Sequence, residues 1–284
     1  MIDIILPIFN EEENISQVIK EIKNSIKKEF QILVVDDCSS DNSAKVARDS
    51  GALVISHPYR MGNGASVKTG IRVAKADILV FMDGDGQHNP ADIARILEYI
   101  DKYDMVVGAR SKDSHAPARR TANIIYNWFA SYVTRFKIQD LTSGFRVIRK
   151  DLALKFLYLL PNGFSYPTTL TLAILRSGRS IKYVPITALA RKGKSKIKPL
   201  SDGIRFLLII AKIATVFSPF RVFLPISFLL FFLGMGNYLY TFISFHSFTN
   251  MSALLFTSSI TIFMLGLISE QIAQLRLDRT ENNP

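Results

Sequence analysis

The stretch that decides the fold is ILVFMDGDGQH, residues 78–88. Its first five residues form an apolar run of strand length, and acidic residues and glycines follow at once. Similar apolar runs occupy residues 2–8, 32–35 and 105–107, with helix-like periodicity between them at residues 14–28, 43–50 and 64–75. This alternation predicts an α/β fold with a mostly parallel sheet and helices on both faces. Ligands bind beyond the carboxyl ends of such strands, so the residues after each run are candidates for function.

Acidic side chains follow three of these runs: Glu11, the pair Asp36 and Asp37, and the pair Asp83 and Asp85. Two carboxylates separated by one glycine can share Mg²⁺, which is often held by one or two carboxylates together with substrate phosphates. Repulsion among clustered carboxylates also calls for a cation or hydrogen-bond donors. Two alternatives remain open at this point. Residues 83–86 can form an ordinary polar turn, and Asp36 can cap a helix or a turn.

The chain is basic, and this property indicates an anionic partner. Lysine and arginine number 35 against 24 acidic residues, for a formal net charge of +11. Basic residues cluster at Arg110, at Arg119 and Arg120, and along residues 191–198. Such a run can be a solvated face, a contact with anionic lipid, or a loop that closes over phosphates. Because the last third of the chain is hydrophobic, lipid phosphates are favoured over nucleic acid.

Two further features narrow the class of protein. Cys38 is the only cysteine, which excludes an intramolecular disulfide and fits a reducing compartment. The sequence Gly62-Asn63-Gly64 invites a dinucleotide-binding interpretation, but Val67 stands where the fingerprint needs its third glycine. We therefore reject a nicotinamide site and assign Gly70 to helix packing.

The C-terminal part predicts a membrane anchor. Residues 203–217 suit an amphipathic helix in the membrane interface, or alternatively an ordinary core helix. Residues 223–245 and 251–269 contain no charged side chain, and each is long enough to cross a hydrocarbon core of about 30 Å. The alternative is a buried hairpin in a soluble protein. Predicted boundaries are a catalytic domain at 1–200, an interfacial helix at 201–218 and a two-helix hairpin with a tail at 219–284.

Flanking charges predict the orientation of that hairpin. Lys212 and Arg221 precede the first span, Arg276 and Arg279 follow the second, and the connecting loop has no lysine or arginine. By the positive-inside rule the catalytic domain and both termini are cytoplasmic, in a multi-pass protein of the cell or endoplasmic reticulum membrane. The run at residues 2–8 starts without a preceding signal peptide pattern. Gly234 and Gly236 can support a homo-oligomer.

Taken together, the motifs resemble those of glycosyltransferase family 2. They are LPIFNEEENI, VVDDCSSDNS, RMGNGASVKTGI, FMDGDGQHNP, GARS, RRTAN, QDLTSGFRVIRKD and RKGKSK, spread over roughly residues 2–200. Within the family the chain is similar to the branch of dolichyl-phosphate mannose synthase and polyprenyl-phosphate glycosyltransferases. The resemblance implies a GT-A nucleotide-sugar-binding fold. The chain departs from mannose synthases at DGDGQH, where they often read D-A-D-L-Q-H. It also departs at RKGKSK, which is one residue shorter than their R-x-x-G-x-S-K.

The resemblance also implies roles for particular residues. Those expected at the nucleotide-sugar are Pro7, Phe9, Glu11, Val35, Asp37, Asp83, Gly84, Asp85, Arg191 and Lys196. Those expected at the acceptor phosphate are Arg110, Arg120 and Ser143, and the metal ligands are Asp85 and Gln87, for Mg²⁺ or Mn²⁺. The implied catalytic set is Asp83, Asp85, Arg110, Arg120 and Asp140, where Asp140 acts as a base, orients the acceptor or anchors a loop.

The implied reaction is inverting transfer of a hexose from a nucleotide-sugar, of the GDP-mannose or UDP-glucose type, to dolichyl or undecaprenyl phosphate. Three other functions are considered. A channel-forming synthase of the cellulose-synthase kind needs more than two spans and a Q-x-x-R-W motif, which the sequence lacks. Transfer to another lipid or a soluble acceptor stays open. An inactive scaffold that binds anionic headgroups would have no need of Asp83, Asp85 and Gln87.

Overall fold

The structure, a computed structural model, describes residues 1–110, 117–163, 165–187, 215 and 218–281, and no side chains at 117–123, 277 or 279–281. The chain divides into two compact units. The first consists of Met1–Tyr132 with Phe136–Gly203, and the second of Val133–Arg135 with Ile204–Pro284. Each unit is described by itself.

A seven-stranded sheet forms the centre of the first unit, in the order β3-β2-β1-β4-β6-β5-β7 among the described residues. The strands are β1 Ile2–Ile8, β2 Phe30–Asp36, β3 Leu53–Ser56, β4 Ile78–Phe81, β5 Met105–Arg110, β6 Arg146–Arg149 and β7 Ile181–Ile186. Only β6 runs antiparallel to its neighbours, β4 and β5. The predicted α/β class with a mostly parallel sheet is therefore confirmed. All seven residues of β1 are buried, as expected for a central strand covered on both faces.

Seven helices in the described part of the first unit connect these strands. They are α1 Ile15–Ser25, α2 Ser43–Asp49, α3 Asn63–Val73, α4 Asp92–Leu97, α5 Pro117–Thr134, α6 Lys150–Lys155 and α7 Tyr166–Arg176. The first three lie where helical periodicity predicts them, although α1 ends three residues early. Gly70 of α3 packs against Ile5 of β1, and an added Cβ would lie 2.4 Å from that side chain. The helix-packing role predicted for Gly70 is thus confirmed.

Two long helices, α8 Pro219–Phe245 and α9 Asn250–Glu281, make up most of the second unit. Both are long and apolar enough to cross a membrane, and only a small share of their apolar surface is buried. Ser227 and Ser259 exchange hydrogen bonds, each hydroxyl donating to the other residue's carbonyl oxygen at 2.9 Å. Gly234 of α8 packs against Leu255 and Phe256 of α9, whereas a Cβ added at Gly236 would meet open space. Small residues and hydroxyls therefore join the two helices to each other.

The two helices are also joined near both ends. The Glu270 carboxylate accepts a hydrogen bond from the backbone N–H of Phe220 at 3.2 Å, which satisfies one of the donors at the start of α8. At the other end, the Asn237 side-chain oxygen accepts hydrogen bonds from Thr249 at 3.1 Å and Ser252 at 2.8 Å. Both helices extend beyond the charge-free spans predicted from sequence. The predicted interfacial helix at 201–218 lies almost entirely outside the described residues.

Candidate active site

The acidic pair lies where the sequence predicts it, immediately after β4. Asp83 and Asp85 are partly exposed, while Gly84 between them is buried against Ile8 of the neighbouring strand. An added Cβ on Gly84 would lie 2.5 Å from the Ile8 side chain, so only glycine fits there. Gly144 packs on the Asp83 carboxylate from the other side, where a Cβ would lie 2.7 Å from Oδ2. The two carboxylates are thus held by close backbone packing at an edge that solvent reaches.

Arg110, the last residue of β5, forms a two-point ion pair with Asp140. Its Nε donates to Asp140 Oδ2 at 2.8 Å and its Nη2 donates to Oδ1 at 3.0 Å. Nη2 also donates to the Thr142 hydroxyl at 2.6 Å. Burial raises the pKa of Asp140, but the hydrogen bonds and charge of Arg110 outweigh it, so the pKa lies below its usual range. Asp140 is therefore ionised, and both of its oxygens are already hydrogen-bonded.

Electrostatic coupling connects Arg110 to the acidic pair. Burial disfavours the charged guanidinium, yet Asp140, then Asp83 and Asp85, raise the pKa of Arg110 above its ordinary value. Among the described residues Nη1 of Arg110 has no hydrogen-bond partner. The predicted catalytic residues Asp83, Asp85, Arg110 and Asp140 are therefore brought into one electrostatic network.

His88 is a neutral buried neighbour of this network. Its ring lies 5.3 Å from that of Phe145, and its Nδ1 has no hydrogen-bond partner among the described residues. Burial, opposed by the charge of Asp85 and assisted by that of Arg110, lowers the pKa of His88 to about 4. The imidazole consequently adds no positive charge beside the acidic pair at neutral pH.

Arg146 holds the Ser143–Gly144 turn in place through buried hydrogen bonds. Its side chain is fully buried and donates to the carbonyl oxygens of Ser143 and of Pro167, and to the Thr171 hydroxyl. These contacts tie the turn to α7, and because Gly144 packs on Asp83, they also hold the acidic pair in place. The Ser143 hydroxyl itself is fully buried and has no partner in the described part of the chain. Its predicted contact with an acceptor phosphate stays a prediction.

At the nucleotide end of the predicted site, Asp37 follows β2 and is buried. Its Oδ1 accepts a hydrogen bond from the Met61 backbone N–H at 2.7 Å, and Oδ2 accepts one from Gly62 at 2.8 Å. Nδ1 of His57 lies 3.0 Å from Oδ1. The carboxylate thus holds the loop before α3. A contact between Asp37 and a base or ribose, expected from the resemblance, would have to share these oxygens.

The other residues predicted at the nucleotide lie at the same sheet edge. Pro7 and Val35 are register partners in β1 and β2, and both are buried. Phe9, just beyond β1, is partly exposed, and the guanidinium of Arg60 lies 4.1 Å from its ring centroid. Glu11 accepts a hydrogen bond from the Asn14 side chain at 2.9 Å. Their roles toward a nucleotide stay predictions.

Some predicted residues cannot be placed in the site. Arg120 lies in α5, but its side chain is not among those described, and Arg191 and Lys196 lie outside the described residues. The structure argues against a dinucleotide at Gly62–Gly64. The backbone N–H groups of Gly64 and Ala65, at the start of α3, donate to carbonyl oxygens of residues 163 and 162 at 3.2 and 2.8 Å. These protein carbonyls occupy the place that a phosphate would take at a helix N-terminus.

The donor set at the acidic pair fits a hard divalent cation. Asp83, Asp85 and the Gln87 amide offer oxygen ligands, and the Gln87 backbone N–H donates to Asp85 Oδ1 at 3.1 Å, which orients that carboxylate. No cluster of three or more acidic, histidine or cysteine side chains suited to a metal occurs among the described residues. Mg²⁺ is usually held by one or two carboxylates, with substrate phosphates and water completing its coordination.

Comparison with known proteins identifies the family. The model of glycosyl transferase family 2 matches residues 3–157, more than half of the chain, and that of the GtrB C-terminal hairpin matches residues 218–275. The chain belongs to glycosyltransferase family 2, and its apolar hairpin indicates membrane association. An undecaprenyl-phosphate mannosyltransferase of Micrococcus luteus is 29% identical over 216 residues, 70% of this chain and 87% of the relative. Glycosyltransferase AglJ of Haloferax volcanii is 27% identical over 245 residues, 84% and 80% of the two chains.

Solved structures support the fold. Glucosyl-3-phosphoglycerate synthase from Mycobacterium tuberculosis, in complex with Mn²⁺ and UDP-glucose, has a TM-score of 0.60 and 21% identity, covering 74% of this chain and 77% of its own. The complex of that enzyme with phosphoglyceric acid has a TM-score of 0.62 and 18% identity, covering 75% and 80%. At this identity the likeness shows the GT-A-like α/β fold of the first unit.

Sequence reasoning missed several residues that organise the site: His57, Thr142, Gly144 and Arg146. Gly144 and Arg146 lie in the motif QDLTSGFRVIRKD, so the motif marked the segment without showing which residue supports which. Thr142 and His57 act through partners 32 and 20 residues away, and no periodicity in the sequence reports such contacts.

Proposed function

We propose that this protein transfers a hexose, with inversion, from a nucleotide-sugar of the GDP-mannose or UDP-glucose type to a polyprenyl phosphate at the cytoplasmic face of a membrane. The observation that carries the proposal is the network in which the Arg110 guanidinium, held by Asp140, couples to Asp83 and Asp85, in a chain that also has an apolar hairpin. The name of the Micrococcus relative, an undecaprenyl-phosphate mannosyltransferase, supports lipid-linked sugar transfer as the reaction class, and that of the Haloferax relative supports glycosyl transfer.

The donor end of the site would bind the sugar diphosphate at Asp83, Gly84 and Asp85. A Mg²⁺ or Mn²⁺ ion held by Asp85 and Gln87 would supply Lewis-acid stabilisation of the leaving diphosphate. Gly144 and the Ser143 turn keep Asp83 from moving away as charge develops, because the turn is fixed by Arg146. Preorganised charge of this kind is the largest contribution to many enzymatic rates.

The acceptor end would use Arg110, together with Arg120 and Ser143. A phosphate monoester has a second pKa of about 6, so its oxygen is already nucleophilic near neutral pH and needs little help from a base. Asp140, whose oxygens are taken up by Arg110 and Thr142, serves in this proposal to orient the guanidinium. Direct displacement at the anomeric carbon inverts the linkage, so an α-linked donor gives a β-linked product.

An apolar surface on α5 suits a lipid acceptor. Ile124, Ile125 and Trp128 are 55, 50 and 67% exposed, and the Trp128 ring stacks with that of Tyr132 at 6.4 Å. Exposed aliphatic and tryptophan side chains on one helix are typical of a membrane interface. With the positive-inside distribution of lysine and arginine, we place the catalytic domain and both termini in the cytoplasm of a multi-pass membrane protein.

A soluble phosphorylated acceptor is the second candidate, because a structural neighbour carries phosphoglyceric acid. The test is transfer by the purified full chain in lipid nanodiscs, with a panel of radiolabelled nucleotide-sugars and Mn²⁺. Undecaprenyl phosphate, dolichyl phosphate and phosphoglyceric acid are offered separately. We expect label in the lipid extract with one donor, and none with Asp85→Ala. Label on phosphoglyceric acid alone would show that the acceptor is soluble and not a lipid. Vesicle binding without any transfer would support an inactive scaffold that binds anionic headgroups.

A further inference from the structure

His57 forms a buried connection between α3 and Asp37. Its Nδ1 lies 3.0 Å from Asp37 Oδ1, and its Nε2 lies 3.0 Å from the hydroxyl oxygen of Thr69. A carboxylate can only accept, so Nδ1 of His57 donates to Asp37, and Nε2 forms the second hydrogen bond with the Thr69 hydroxyl. His57 and Asp37 are both almost fully buried, so removing one of them would leave the other without a hydrogen-bond partner from water, at a cost in free energy.

The carboxylate that His57 contacts determines the conformation of the loop before α3. Asp37 accepts the backbone N–H groups of Met61 and Gly62, and Gly62 has a φ of 102°, a left-handed conformation that favours glycine. The same loop carries Arg60, whose guanidinium lies over the ring of Phe9 at 4.1 Å. This cation–π contact lies just beyond β1, at the end of the site where the nucleotide is expected.

We propose that His57 is a positioning residue for the nucleotide: it couples Thr69 of α3 to the Asp37 carboxylate and so fixes the loop that places Arg60 over Phe9. The proposal rests on the proposed function, because it assumes a nucleotide-sugar donor at this edge. His57 contacts neither substrate. Its effect is to keep the loop in the conformation that binds, so its loss multiplies the affinity by the remaining fraction of competent molecules and raises the dissociation constant accordingly.

The test measures binding of UDP and of GDP, each with Mn²⁺, to the full chain in nanodiscs by calorimetry, alongside steady-state transfer. Thr69→Val removes only the hydroxyl that is hydrogen-bonded to Nε2 of His57. We expect the dissociation constant and the KM for the nucleotide-sugar to rise about fivefold to tenfold, as for one ordinary buried hydrogen bond, with kcat little changed. Thr69→Ser restores the hydroxyl and should restore KM. His57→Asn, which keeps a donor toward Asp37, should be milder than His57→Ala.

A matched control is Thr169→Val in α7, whose hydroxyl donates to the carbonyl oxygen of Ser165, the residue just before that helix, at 3.1 Å. It should lower the unfolding temperature as much as Thr69→Val while leaving KM unchanged. Equal nucleotide affinity in Thr69→Val and the wild type, or a fall in kcat alone, overturns the positioning role and leaves the proposed function intact. A wild-type chain that binds neither UDP nor GDP overturns both.

Discussion

Arg110→Ala should lower both the unfolding free energy of this protein and its rate of sugar transfer. The substitution removes three side-chain hydrogen bonds, at 2.8 and 3.0 Å to Asp140 and 2.6 Å to Thr142, and leaves a buried carboxylate unpaired. Breaking a buried ion pair from one side costs about 3–5 kcal/mol of unfolding free energy. At about 2–4 °C per kcal/mol for a chain of this size, the unfolding temperature should fall by about 6–20 °C. Transfer should fall about tenfold to a hundredfold through the lost contacts to the acceptor phosphate.

The double variant Arg110→Met with Asp140→Leu separates the two effects. Removing both charges should recover most of the lost stability, since well-packed apolar residues often replace a buried pair without cost, but transfer should not recover. Unfolding is followed in nanodiscs by fluorescence, at one scan rate for all variants. Arg179→Ala, which breaks the exposed pair with Asp104 at 3.4 Å, is the control and should cost about 1 kcal/mol or less. Full transfer by the double variant would refute the acceptor role of Arg110, and equal costs for Arg110→Ala and Arg179→Ala would refute the buried pair.

Further predictions concern the acidic pair, acid stability and topology. Gly144→Ala should lower transfer at least about tenfold, because the added methyl group displaces the Asp83 carboxylate. Unchanged binding of the donor and of the lipid would show that the fold is intact. Unchanged transfer would contradict the packing of Gly144 on Asp83. Chelation or Asp85→Ala should abolish transfer, and Mg²⁺ or Mn²⁺ should restore it only to the chelated wild type. Because the pKa of Asp140 is lower in the folded state, its contribution to stability should be complete above about pH 4, its unfolded pKa, and be lost as pH falls through the folded pKa. The unfolding free energy of Asp140→Asn should therefore fall less steeply below about pH 4 than that of the wild type. Reporter fusions should place both termini in the cytoplasm, and an external C-terminus would reverse the predicted orientation.

Elements with strong patterns could be predicted from the sequence, and weakly patterned ones could not. Strand β1 is a continuous apolar run because it is buried on both faces, and the charge-free helices stand out by composition alone. Strand β3 has a short apolar run, Leu53–Ile55, which we did not predict to be a strand, and it is half-exposed at the sheet edge. Strand β6 is four residues long with arginine at both ends, so it lacks the apolar run or alternation that indicates a strand. Strand β7 contains Pro185, which is compatible only with an edge and therefore argues against a strand in the sequence.

The acidic residues at the sheet edge show why position after a strand is not sufficient to assign a role. From sequence, Asp37, Asp83, Asp85 and Asp140 are all candidate site residues. In the structure Asp37 and Asp140 are almost fully buried and accept hydrogen bonds from backbone N–H groups or from Arg110, while Asp83 and Asp85 are partly exposed. A buried carboxylate needs such donors to remain charged, and once it has them it holds a loop more readily than it binds a cation. The division between residues that build the site and residues that meet the substrate is therefore set by burial, which depends on tertiary contacts that no local pattern encodes.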